Sequence, residues 1–217
     1  MDNQAGARQP YWIVTPPSAA TMACKRAFDI LCSFLGLTVL SPVLLVVSVL
    51  VAVTSPGGVF FRQERIGKDG KPFRIFKFRS MRKDNAGLKI TTGNDSRITP
   101  VGRFLRKSKI DELPQLINVL VGDMSFVGPR PEVADYVNLY PPYQRQVLLV
   151  RPGITGLASI RFRNENDLLT ASDDPNRTYV EQIMPRKIDL DLEYIPHASV
   201  FYDIKLIFQT FAVVIKE

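Results

Sequence analysis

The sequence predicts an α+β fold tied to a membrane by one N-terminal helix, followed by a β-hairpin and several amphipathic helices. Three observations carry this. From Ile30 to Val53 there are 24 consecutive residues without a charge, a run that as a helix would be ~36 Å long against a hydrocarbon core of ~30 Å. After it, the stretch from Val59 to Met81 reads as two strands around the turn Gly67-Lys68-Asp69-Gly70-Lys71-Pro72. Beyond that, apolar residues recur at helical spacing between glycine- and proline-rich loops.

Composition narrows the class. With 217 residues, 46% apolar and 23% charged, the chain can bury a core, and neither wholesale disorder nor a large multidomain machine fits. Its 28 Lys and Arg against 21 Asp and Glu give a net charge of +7. Because the apolar excess is concentrated in one block, the remainder is a strongly basic body beside a membrane-length segment, as expected of a protein working at a lipid surface. The two cysteines, Cys24 and Cys32, would stand roughly 12 Å apart on a helix, beyond disulfide reach. That suits a reducing, cytosolic setting. The apolar run is too long for a cleaved signal and no small-residue cleavage site follows it.

Residues 1–24 read as a mobile tail, with three prolines in the first 20 and no apolar periodicity. The apolar helix is expected over about 27–54 and the body of the protein over about 55–217. Ser41-Pro42 stands in the middle of the run, where proline removes the amide that would bond the Thr38 carbonyl and so bends the helix. Ser41 can bond the freed carbonyl back. Lys25 and Arg26 precede the run, and Arg62, Arg65 and Lys68 follow it. A spanning helix needs one basic flank, whereas a re-entrant one that enters and leaves on the same side uses two. The residues alone leave both readings open.

In the hairpin, period-two alternation puts Phe76 and Phe78 on one face and the cations Lys77 and Arg79 on the other. Residues 83–100 are polar and turn-rich, a long loop. Thr99 to Leu120 carries Leu113, Leu116, Ile117 and Leu120 at helical spacing, with a helix start near Ser108 to Asp111. Asp111 and Glu112 would then sit at the positive end of that helix, and Ser108-x-x-Asp111 matches a capping box. The loops at 122–131 and 151–156 each carry an arginine and can turn amides toward an anion. Tyr136 to Val150 reads as an aromatic, interface-seeking stretch. Val200 to Ile215 reads as a terminal helix.

The chemistry these residues allow is restricted. A lone histidine, His197, and two cysteines in or near lipid build neither a zinc site nor a Ser-His-Asp or Cys-His arrangement. Nucleophilic chemistry must therefore use a carboxylate. No phosphate-binding or dinucleotide loop occurs. The aromatics do not interleave with the basic runs, which argues against nucleic acid. Asp111-Glu112 stands out because Arg97, Arg103, Arg106, Lys107 and Lys109 lie just upstream, with Arg130 and Arg151 in the downstream loops. An acidic pair among cations beside a membrane suits phosphoryl transfer, in which a carboxylate-held divalent metal and arginines neutralise a diphosphate.

Together, Lys25-Arg26-x-Phe28-Asp29, Ser41-Pro42, FFRQERIG (60–67), FKFRSM (76–81), RITPVGRFLRKSKIDELPQLINVLVGDMSFVGPRP (97–131) and RPGITGLA (151–158) resemble the bacterial sugar transferase family, the monotopic polyprenol-phosphate phosphoglycosyl transferases, in its small form. The resemblance runs from about residue 25 to the end. It implies a monotopic α+β membrane protein on the cytoplasmic face of the bacterial inner membrane, with a re-entrant helix bent at Ser41 and Pro42. It further implies transfer of a sugar 1-phosphate from a UDP-sugar to a polyprenyl phosphate, with Mg2+ as cofactor and UMP as product. By the same matching, Asp111 is the nucleophile and a metal ligand, and Glu112 is the second acid. Lys77, Arg79, Arg106 and Arg130 are phosphate or nucleotide contacts, and Asp191 is a supporting acid of that group. Where many members carry Asn-Gly-Arg-Asn after the PGITGLA loop, this chain has Ser159-Ile160-Arg161-Phe162-Arg163-Asn164-Glu165, so the sugar is not implied. Nor is an oligomeric state. The rival reading is a non-catalytic, basic, membrane-anchored module that binds anionic lipid or protein partners. Turnover of a UDP-sugar separates the two.

Overall fold

Lys25, Arg26 and Asp29 determine where the first helix begins. In the computed structural model, which describes residues 13–55, 57–82 and 97–215, helix α1 covers Ala19–Thr54, 36 residues, with Ser18 accepting the Thr21 amide at its N-cap. It starts ahead of the apolar run because the charged residues there are spent on the body. Lys25 is buried and donates to the Asp203 carboxylate and to the Val127 carbonyl. Arg26 donates to the carbonyls of Val119 and Leu120 at 2.6 and 2.8 Å. Asp29, 2% exposed, accepts from the Ser125 hydroxyl and the Phe126 amide. The basic flank read as a topology signal at this end is an attachment to the body. Ahead of it Val14 is buried, its amide bonded to Gln146 Oε1. Residues 1–12 of the expected tail and most of the loop at 83–100 lie outside the described residues.

The helix assignment continues through Ser41-Pro42. Ser41 Oγ donates to the Thr38 carbonyl at 2.7 Å, so the acceptor that proline leaves without an amide is satisfied locally. Along α1, the residues turned to the body fall at 25, 29, 33, 36, 40, 44, 47 and 51, steps of three and four that make one continuous stripe. The remaining surface is apolar and exposed, from Leu31 and Phe34 to Val49 and Val53. It is the only helix among the described residues long and apolar enough to cross a membrane.

The hairpin forms as expected. Strands β1 (Phe60–Ile66) and β2 (Pro72–Phe78) pair antiparallel, from Phe60 opposite Phe78 to Ile66 opposite Pro72. The turn closes with Asp69 at φ 57 and Gly70 at φ 74. Phe78 joins Val47, Val51 and Leu105 in a small core under the end of α1.

The helix expected to start near Ser108 to Asp111 starts later, and a separate helix precedes it. Helix α2 (Pro100–Lys107) ends at Ser108, the chain passes through Lys109 at φ 57, a 3₁₀ turn covers Ile110–Glu112, and α3 (Gln115–Val121) follows Pro114. Ser108 Oγ donates back to the Phe104 carbonyl at 2.8 Å, so the hydroxyl closes α2 and the capping box is not made. Asp111 and Glu112 sit in the turn between helices, not in a helix's first turn.

Strands β3 (Ser125–Val127) and β4 (Gly153–Thr155) pair in parallel within the two loops expected to cradle an anion. Their glycines serve backbone contact instead. A Cβ on Gly153 would lie 2.1 Å from the Gly128 amide, and the amides bond within the pair, Gly128 to Thr155 and Gly153 to Pro129. After β3 come α4 (Ala134–Val137) and a 3₁₀ segment at Gln144–Leu149. Tyr136, Tyr140, Val147 and Val150 are buried in the main core, while Leu139, Tyr143 and Leu149 of the same stretch stay exposed. Then follow α5 (Leu157–Arg161), α6 (Glu165–Thr170), α7 (Pro175–Thr178), a π-turn at Tyr179–Ile183, α8 (Met184–Tyr194) and α9 (Val200–Ile215). Leu206 of α9 enters the main core while Phe201, Phe208 and Phe211 stay exposed.

Candidate active site

The left-handed residue Lys109 reverses the chain after α2 and lets a single 3₁₀ turn present both acids. Asp111 is 8% exposed, and its Oδ1 has no hydrogen-bond partner among the described residues. Glu112, by contrast, is tied from two sides. Its Oε1 accepts from Lys77 Nζ at 2.7 Å and from Arg130 Nη2 at 3.1 Å. Gln115, one helical turn beyond Asp111, is buried with an unpartnered Nε2. Buried polar atoms are nearly always paired in proteins. An orphaned acceptor and donor four residues apart are what a site left for a ligand contains.

Neighbouring charge separates the two acids. Burial raises the Asp111 pKa, the adjacent Glu112 charge adds to it, and Lys77, Arg106 and Lys109 only partly offset them, leaving it at about 6. Burial acts on Glu112 in the same direction, but Lys77 and Arg130 outweigh it and hold that carboxyl well below the usual range. Burial lowers Lys77, with Glu112 opposing. The Glu112 charge raises Arg130. At neutral pH the site therefore holds an ionised Glu112 locked between two cations and an Asp111 carboxylate with one oxygen free.

The expected contacts divide into two groups. Lys77 and Arg130 reach the acid pair directly, and Arg106 acts on Asp111 by charge while its Nη1 meets Met81 Sδ at 3.5 Å. Arg79 lies apart. Its Nη2 donates to the Phe60 carbonyl at 3.2 Å, and it packs beneath Gly57. Asp191 is buried under the loop after β3, its Oδ1 without a hydrogen-bond partner among the described residues, and burial pushes it up to about 7 against the charge of Lys187 and the backbone amides of Ala158 and Arg130. Sequence reasoning missed the frame around Arg130. Arg65 reaches the Pro131 carbonyl and Glu132, the Ile66 amide bonds the Glu132 carbonyl, and Tyr179 donates to the Glu132 carboxylate. Tyr179 stands at the start of the π-turn, a geometry no local pattern announces. His197 is exposed beside the Tyr202 ring.

Among the described residues no three His, Cys, Asp or Glu side chains gather as a metal cluster. Mg2+ does not require one, since it is commonly bound by one or two carboxylates together with substrate phosphates. The free Asp111 oxygen fits such a one-carboxylate anchor.

An acid pair sunk among cations, on a body fastened along an apolar helix of bilayer length, defines a class of protein built to handle an anionic group close to a membrane-length segment. The particular family follows from comparison. The chain belongs to the bacterial sugar transferase family, whose sequence model matches residues 20–217. It is 44% identical over 202 residues to a UDP-glucose:undecaprenyl-phosphate glucose-1-phosphate transferase of Escherichia coli (strain K12), covering 90% of this chain and 41% of that protein. It is 41% identical over 199 residues to the exopolysaccharide production protein PSS of Rhizobium leguminosarum bv. phaseoli, covering 87% and 94%. A third relative is the UDP-N-acetylgalactosamine-undecaprenyl-phosphate N-acetylgalactosaminephosphotransferase of Aeromonas hydrophila, 38% identical over 199 residues and covering 89% and 44%. The chain thus spans about two fifths of the length of the Escherichia coli relative.

Proposed function

We propose that this chain transfers a sugar 1-phosphate from a UDP-sugar to a polyprenyl phosphate, starting assembly of a glycan on a lipid carrier. The observation that carries the reading is the unpartnered, buried Asp111 carboxylate oxygen beside a fully engaged Glu112. The names of the relatives support the reaction class.

In this mechanism an Asp111 oxygen attacks the sugar-bearing phosphorus and the bond to the bridging oxygen breaks, so UMP leaves and an aspartyl phosphosugar remains. An oxygen of the polyprenyl phosphate then attacks the same phosphorus, giving the lipid-linked diphosphosugar and freeing Asp111. One phosphoanhydride is exchanged for another, so the protein's work is positioning and charge stabilisation. Asp111, together with substrate phosphate, would hold Mg2+, which when bound would supply charge neutralisation. Arg106, with Arg130 and Lys77 behind Glu112, supplies fixed positive charge. At a pKa of about 6, Asp111 is mostly ionised at neutral pH and needs no general base. In this reading Arg79, whose buried Nε has no hydrogen-bond partner among the described residues, remains a nucleotide contact from its place at the start of the hairpin.

The same reading places α1 as a re-entrant helix in the cytoplasmic leaflet. Its support is the stripe from Lys25 to Val51, which keeps both ends on the body, and the position of Pro42 on the exposed side away from that stripe. The ring of Pro42 crowds the carbonyl four residues back, opening the helix on the outer face and curving it toward the body. A spanning helix would instead carry one end away.

A panel of UDP-sugars with polyprenyl phosphate and Mg2+, scored for UMP release, tests the reaction. Asp111→Asn is expected to abolish release, and retained turnover in that variant would overturn the nucleophile assignment. For topology, tags at residue 1 and at the C-terminus are both expected to be reached only from the cytoplasmic side. The rival binding module predicts no UMP release with any donor.

A further inference from the structure

Among the described residues, strand β2 is bonded to a strand, β1, on one side only. On the other side its Arg74 and Phe76 backbone groups are met by a single side chain, that of Asn118 on α3. Asn118 is fully buried; its Oδ1 accepts the Phe76 N–H at 2.9 Å and its Nδ2 donates to the Arg74 carbonyl at 2.9 Å. This is the donor and acceptor pair a neighbouring strand would supply. Nδ2 also reaches Asp123 Oδ2 at 3.2 Å. The backbone of Asn118 is equally fixed, because its carbonyl accepts the amides of Gly122, Asp123 and Met124 at the turn where Gly122 takes φ 102. Glu112 lies just ahead of α3, at the end of the turn that leads into it, and Lys77 follows Phe76 directly on β2. The amide thus joins the strand that carries the cation to the helix behind the acid that the cation holds.

We propose that Asn118 is a positioning residue that sets Lys77 on Glu112 by fixing the edge of β2 to α3. Without the clamp the partly buried strand edge has two unpaired backbone groups and nothing to fix its distance from the acid pair. A displacement of about 1 Å at such a distance is enough to cost on the order of a hundredfold in rate. The catalytic consequence rests on the reaction proposed above, while the structural one does not.

The test uses the full-length chain in detergent micelles. Lysine acetylation, read by mass spectrometry, reports Lys77 directly, since its side chain is 19% exposed and its ammonium ion-paired; Lys187, its side chain 7% exposed and paired with Glu165, serves as the folded-state control. Asn118→Asp keeps the size and the acceptor but loses the donor to Arg74. It is expected to raise Lys77 labelling about tenfold or more with Lys187 unchanged, in keeping with local opening. Lys77 protection equal to wild type would overturn the proposal. If both lysines become reactive, the fold is lost and the same comparison is made with Asn118→Ser, which leaves room for water on the strand edge. In UMP release, Asn118→Asp is expected to lower kcat on the order of tenfold or more alone, but less than about threefold in a Lys77→Met background, because both changes act through one contact. Equal losses in both backgrounds would overturn the role. Absence of UMP release from wild type would sink the reaction and leave the labelling result standing.

Discussion

At the residue scale, Asp111 and Glu112 differ by one position yet titrate far apart, because Glu112 receives both nearby cations and Asp111 keeps the burial cost. Two consequences can be measured. If the Asp111 carboxylate must be ionised to attack, kcat/KM falls below pH ~6, by about tenfold per unit, whereas an unperturbed aspartate would place that limb near pH 4. The second concerns stability. A carboxyl whose folded pKa is raised above its unfolded value favours the fold while protonated, and that advantage is lost as pH rises from about 3.8 through about 6. Asp111→Asn removes the cost of the buried charge, so the variant is expected to be more stable than wild type by roughly 2–3 kcal/mol above pH 6 and nearly equal to it below pH ~4. Thermal unfolding of the two proteins across pH 4 to 8 checks the sign. A stable but inactive variant is what a residue strained for chemistry gives.

At the scale of elements, the parallel pair β3 and β4 places both Arg130 and the amides that hold Asp191. Gly153 has three backbone atoms within 2.7 Å of where its Cβ would be, all of them main chain that cannot rotate away. Gly153→Ala is therefore expected to cost more than about 3 kcal/mol, read as a lowered thermal midpoint, with loss of Arg130 placement. Such strands were hidden in the sequence because three residues give no period and the glycines around them read as loop. The hairpin was legible for the opposite reason, since seven-residue strands alternate and the turn between them carries Gly67 and Gly70. The split of 99–120 into two helices and a 3₁₀ turn was hidden as well: the left-handed backbone at Lys109 belongs to a residue type that does not advertise it. The acids could be picked out by charge, but the turn that presents them could not. Nor could the frame of Arg65, Glu132 and Tyr179, whose members are brought together from three distant segments.

At the scale of the whole molecule, α1 must be joined to the body by something stronger than apolar contact, because its other faces are exposed and apolar. That join is the buried pair of Lys25 on α1 and Asp203 on α9, with Tyr194 donating to Asp203 at 2.6 Å and Lys25 also bonded to the Val127 carbonyl at the end of β3. It links the first helix, the last helix and the strand leading to Arg130. Both ions are 5% exposed or less, so neither can be satisfied by solvent if its partner is removed. A buried ion pair is weak support for stability as a pair, yet breaking it leaves one uncompensated charge and typically costs about 3–5 kcal/mol. Lys25→Met is accordingly expected to lower stability by about that amount, and Asp203→Asn by less, because an asparagine still accepts from Tyr194 and lysine can turn to Val127. Combining Lys25→Met with Asp203→Asn should recover part of the loss, since no charge is then stranded. Thermal unfolding of the four proteins in one detergent gives the cycle. If the double variant is as unstable as the sum of the singles, the pair is not what holds α1 to α9, and α1 is attached to the body through Arg26, Asp29 and the apolar contacts from Leu44 to Val51.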